Sequence, residues 1–194
     1  MRWHFKDPHR LSASIPAVDD LTSDKFLFPH VAHNLSHLFF CAYKHFSFDP
    51  PYWLDEGLAH VLEIDSAKDL NITWCSDEGA GPDRERTKDW GAIIKTMIDR
   101  KKVTSLADLL YKKNFGDLNR DDHVSAWSKV KFLISAHPVK FAEFAGAIKG
   151  RLDDRGYPSG KDLPGVQREL LKSLWGWTPD EFDAAWAAWV MKQK

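Results

Sequence analysis

Val31-Ala32-His33-Asn34-Leu35-Ser36-His37-Leu38 and Pro51-Tyr52-Trp53-Leu54-Asp55-Glu56-Gly57-Leu58-Ala59 are the two stretches on which the reading of this chain turns. His33 and His37 stand four apart. On a helix that spacing puts both imidazoles on one face, a single turn apart and within reach of one ion. The helix is written in the apolar positions: Val31, Leu35, Leu38, Phe39 and Ala42 recur at helical spacing, and Pro29 suits a first helical position. The spacing predicts a helix over 29–45, broken by Asp49-Pro50-Pro51. Leu54, Leu58, Val61 and Leu62 mark one face of a second helix over 53–66. Eighteen residues separate His37 from Glu56, and two antiparallel helices of these lengths return Glu56 to the side of the histidine pair. Two imidazole nitrogens and one carboxylate oxygen make a tetrahedral zinc site with one position open. In a chain with nine histidines the pair alone carries little weight; Glu56 makes it a candidate centre.

Outward from these segments, residues 1–23 are rich in Pro, Ser, Asp and His and read as an irregular N-terminal arm with at most one short strand. Residues 67–87 are polar and Gly-rich and read as a surface loop, with Asn71-Ile72-Thr73-Trp74 as its one candidate strand. Helical spacing resumes at Trp90, Ile93, Ile94, Met97 and Ile98, and again at Leu106, Leu109 and Leu110 behind a Ser105 cap. Further helices are predicted over 122–136, from Pro138 to a stop at Gly150, and from Leu163 to a stop at Gly176. The last opens on Thr178-Pro179-Asp180-Glu181, a capping box with proline at the first helical position. The expected architecture is mainly α, about eight helices with little or no sheet, as an arm at 1–23 and a helical domain at 24–194.

Composition narrows the function classes. The 194 residues are 43% hydrophobic, enough for one sizeable core. A formal net charge of −1 lacks the long-range field that gathers phosphates, so nucleic acid is not an expected partner. Cys41 and Cys75 make no disulfide framework. No window approaches the apolar run of about 18 residues that a membrane helix needs, and the N-terminus has no secretory pattern. Read as a whole chain the protein is expected to be soluble and cytoplasmic, although a domain cut from a longer secreted protein reads the same way.

The two quoted segments resemble the gluzincin metallopeptidases, particularly their aminopeptidase-like branch. That family's pattern is HExxH, eighteen residues, then a glutamate in a W-L-x-E-G-x-A helix; here Trp53, Leu54, Glu56, Gly57 and Ala59 fall in place. The likeness extends more loosely over residues 25–190. It implies a zincin-like helical domain in which His33, His37 and Glu56 hold zinc. The departures imply that turnover is lost. Asn34 stands where the family has the glutamate that takes a proton from the attacking water, and an amide cannot act as a general base near neutral pH. Losing a positioned base typically costs about 10² to 10⁴ in rate. Trp127 stands near the position of the tyrosine that the family presents from a later helix, with Tyr111 as a possible substitute. The stretch before His33 is too short for the family's sheet.

Three neighbours of the site are read beside these. His60, four residues after Glu56, is a candidate to orient a ligand through its ring nitrogen. Asp55, about 100° around the helix from Glu56, reads as a surface or ligand-orienting carboxylate. His30 reads as a helix-start histidine near solvent. Three functions stay open: a pseudopeptidase that keeps zinc and binds a peptide or protein; a working hydrolase that uses Asp55 or Glu63 as base, or whose Asn34 was introduced to silence it; and a metal-free helical interaction module.

Overall fold

The computed structural model of the chain describes residues 3–7, 10–14, 24–66, 72–74, 84–86 and 90–193. Cys75 and the Gly79-Ala80-Gly81-Pro82 run lie outside them. The described residues are mainly helical. They form α1 (Asp24–Ala42), α2 (Tyr52–Ser66), α3 (Trp90–Asp99), α4 (Leu106–Leu109), α5 (Arg120–Ala136), α6 (Pro138–Lys149), α7 (Leu163–Trp175) and α8 (Pro179–Val190), with a short 3-10 turn at Phe115–Asp117. Two antiparallel hairpins accompany them: β1 (Trp3–Asp7) pairs with β2 (Arg10–Ser14), and β3 (Ile72–Trp74) with β4 (Arg84–Arg86). The arm thus holds two strands where one at most is expected, and the loop at 67–87 holds a second strand opposite Ile72–Trp74. Short strands with mixed side chains leave little periodicity to read. β2 lies against α1, and β3 against α1 and α2.

α1 starts earlier than the sequence suggests. Pro29 lies inside it, with five residues of helix ahead. A proline there forfeits one internal hydrogen bond and crowds the preceding turn, and in sequence it looks the same as a proline at a helix start. The helix also ends sooner, at Ala42. Tyr43 N–H still reaches the Phe39 carbonyl at 2.9 Å, and Lys44 at φ 65 then turns the chain. Lys149, buried on α6, fixes that end by donating to the Cys41 and Phe48 carbonyls at 3.1 and 2.9 Å.

α2 is inserted between α1 and α5. Trp53, Leu54, Ala59 and Val61 are buried in the core, but so are Asp55, Glu56, His60 and Glu63. Gly57 sets how near α5 comes: a Cβ at this position would stand 2.5 Å from Val130 Cγ2 and 2.6 Å from the Ala126 carbonyl oxygen. Only glycine permits that approach.

α5 is the central helix, packed against α2, α3, α6 and α8. Asn119 caps its start by accepting from Asp122 N–H at 3.1 Å, while Asp122 accepts from Asn119 N–H at 3.0 Å. Its polar side chains survive burial because they are paired. Ser128 accepts from Trp186 Nε1 at 3.0 Å, and Lys112 reaches Asp122 at 2.7 Å. Lys129 pairs with Asp183, its ammonium 3.8 Å from the centre of the Trp186 ring. α8 begins at the expected capping box, Thr178 N–H donating to Glu181 at 2.7 Å, and α7 stops at Gly176 with φ 77. No helix among the described residues is long and apolar enough to cross a membrane.

Candidate metal centre

α1, α2 and α5 bring five buried histidines, His30, His33, His37, His60 and His123, into the same region as the buried carboxylates Asp55, Glu56 and Glu63. The three ligands expected from sequence converge. His33 Nε2 and His37 Nε2 lie 3.0 Å apart, His37 Nε2 is 3.3 Å from Glu56 Oε1, and His33 Nε2 is 3.7 Å from Glu56 Oε2. Donors held at 2.0–2.2 Å by one tetrahedral ion stand about 3.3–3.6 Å from each other. The three distances straddle that range, so the donor set fits a zinc-sized ion.

The other ring nitrogens decide what these donors offer. His33 Nδ1 hydrogen-bonds to Glu63 Oε2 at 3.0 Å, and His37 Nδ1 lies 3.0 Å from Asp55 Oδ1. With these carboxylates ionised, and so accepting only, a proton on each Nδ1 leaves the Nε2 lone pair of each ring for an ion. Two lone pairs facing each other at 3.0 Å repel; a cation shared between them removes the repulsion. Carboxylates behind both histidines are the arrangement that fixes a metal-binding imidazole. Asp55 is therefore neither at the surface nor free to act as a base: it is buried against His37.

His60 also lies against the site, on the far side of Glu56. Its Nδ1 is 3.1 Å from Glu63 Oε2, its Nε2 is 2.9 Å from His123 Nδ1 and 3.7 Å from Glu56 Oε2. Burial pushes its pKa down to about 3 against the opposing hydrogen bond to Glu63, so the ring is neutral. His30 is buried, not near solvent as the sequence suggests, and burial lowers its pKa to about 4. Asn34 is turned towards it, the amide donating to the His30 carbonyl at 2.8 Å and to His30 Nε2 at 3.2 Å. The side chain next to His33 is thus tied to the preceding turn.

The later residues named from sequence lie elsewhere. Trp127 stacks edge-on against Trp90, whose other neighbour is His60, so an indole stands between Trp127 and the histidines. Tyr111 is 52% exposed and pairs with Arg168. The α5 side chain that does reach the site is His123, one turn before Trp127, with Nδ1 3.5 Å from Glu56 Oε2. Sequence reading missed it. A lone histidine 67 positions beyond Glu56 carries no spacing signal. Glu63 had a signal, since Glu56, His60 and Glu63 share one face of α2 at i, i+4 and i+7.

Comparison with family models, with curated proteins and with solved structures finds no match for this chain. What the region can do therefore rests on its own chemistry. The donor atoms group as His33-His37-Glu56, His33-His60-Glu63 and Glu56-His60-His123, the ligand atoms in each lying within 4.8 Å of one another.

Proposed function

We propose that this chain is a zinc-binding domain of gluzincin-like build that has lost peptide hydrolysis and binds a peptide or protein segment instead. The observation that carries the metal reading is the pair of Nε2 atoms of His33 and His37 beside Glu56, each imidazole held from behind by a carboxylate. Loss of turnover is supported by Asn34, whose amide is engaged with His30 and, having no group that titrates near neutral pH, cannot act as a general base. The ligand class follows from the resemblance. A working hydrolase with Asp55 or Glu63 as base fits less well, because each of these carboxylates already serves an imidazole.

Metal content tests the first half. Protein purified without chelator is expected to carry about one equivalent of zinc or more, and His37→Ala is expected to lose the ion held by His33, His37 and Glu56. Less than about a tenth of an equivalent in the parent contradicts the reading. Asn34→Glu tests the second half. The zinc-loaded variant is expected to stay at the background rate on peptide substrates, because neither Trp127 nor Tyr111 reaches the histidines. A gain of about 10² or more means that the hydrolytic machinery survives.

A further inference from the structure

We infer that the cluster is built for two metal ions, the second held by Glu56, His60 and His123; this rests on the first centre proposed above. The donors of the second set are as close as those of the first. His60 Nε2 and His123 Nδ1 stand 2.9 Å apart, and they lie 3.7 and 3.5 Å from Glu56 Oε2. Glu56 Oε1 faces His37 at 3.3 Å, so the two oxygens of one carboxylate serve the two sets. A carboxylate shared in this way suits the separation of about 3.5–4 Å found between the ions of two-metal sites. The donors group in threes: two of the three sets are joined at Glu56, and the third, His33-His60-Glu63, links one histidine of each through Glu63.

The orienting shell repeats as well. Glu63 Oε2 accepts from Nδ1 of His33 at 3.0 Å and from Nδ1 of His60 at 3.1 Å, aiming one Nε2 of each triad at its ion. Glu63 thereby makes the two triads one construction. Asp55, Glu56 and Glu63 are all buried here, and a buried carboxylate needs partners. His123 is delivered to this place by the close contact at Gly57, which lets α5 approach α2 one and two turns further on, at Ala126 and Val130. Two nitrogens and one oxygen per ion suit zinc or cobalt.

The test is stoichiometry, read by native mass spectrometry and elemental analysis on the full chain stripped of metal and titrated with zinc alone. The parent is expected to take up two ions, His123→Leu one, His37→Ala one, and the double variant none, with circular dichroism showing that each folds. If His123→Leu fails to fold, His123→Gln keeps the size of the side chain and takes its place. Cobalt gives a second reading: two ions joined by Glu56 are magnetically coupled, so the resonance of the first cobalt weakens when the second binds. One ion in the parent and one in His123→Leu overturns the second site, and the contact between His60 and His123 is then an ordinary hydrogen bond. No ion in the parent overturns the first centre instead. One ion that survives His37→Ala but not His123→Leu means that the second triad is the sole centre, which also overturns the two-ion account.

Discussion

Glu63 belongs to neither the His33-His37-Glu56 nor the Glu56-His60-His123 donor set, yet it holds a histidine of each. Glu63→Gln keeps its shape but replaces the carboxylate oxygen that faces both Nδ1 atoms with a neutral amide oxygen, a weaker acceptor. Zinc affinity is expected to fall about 10–100-fold, the usual effect of removing such a partner. Competition against a chromophoric chelator measures it, and an unchanged affinity contradicts the orienting role. At this scale the sequence was uneven. His33, His37 and Glu56 were legible because a helical turn and a hairpin of two helices impose fixed intervals. Asp55 and His60 were legible as neighbours on the same helix, although not which nitrogen each would face. His123 was not legible at all, because contact between α2 and α5 is set by tertiary packing across an intervening stretch that includes α3 and α4. His30 was misjudged for the opposite reason: read as a helix start, it lies one and a half turns inside α1, whose first residue is Asp24.

Between elements, the contact that organises the site is the crossing of α2 over α5. Gly57→Ala places a methyl where Val130 and the Ala126 carbonyl already stand. The backbone oxygen cannot rotate aside as a side chain can, so the helices must move apart. Overpacking of this kind costs about 1–3 kcal/mol, and it should draw His123 away from Glu56. Urea unfolding is expected to show the loss, and trimming the other obstacle with Val130→Ala is expected to recover only part of it. Full recovery would place the conflict at Val130 alone. The glycine was visible from sequence as part of the Trp-Leu-Asp-Glu-Gly-Leu-Ala segment; its physical reason was not. Helix starts that carry their own chemistry were the most legible, as at Ser105 and Thr178, where side-chain oxygens accept from Asp108 and Glu181 N–H. The hairpins β1-β2 and β3-β4 left no such mark, because strands of three to five residues offer at most two or three alternations.

Across the whole molecule, two equilibria report on the account. Zinc that binds only the folded chain stabilises it by about 4 kcal/mol when free zinc is a thousandfold above the dissociation constant. For a domain of this size that is a rise in Tm of roughly 8–16 °C. Thermal melts with zinc and with chelator check it; a Tm indifferent to zinc would favour a metal-free interaction module. The second equilibrium concerns Lys129, whose pKa burial lowers to about 8 despite the Asp183 carboxylate beside it. Between about pH 8 and 10.5 the unfolded chain holds this proton and the folded chain does not, so raising the pH through that window favours the folded state. The stability of the parent relative to Lys129→Met should therefore rise from pH 8 to 10, and a flat difference would mean that the buried ammonium keeps an ordinary pKa. Most direct for the central claim is an anomalous difference map at the zinc edge from crystals of zinc-loaded protein. The account predicts a peak about 2.0–2.2 Å from His33 Nε2, His37 Nε2 and a Glu56 oxygen. A map without a peak among these three side chains would contradict it.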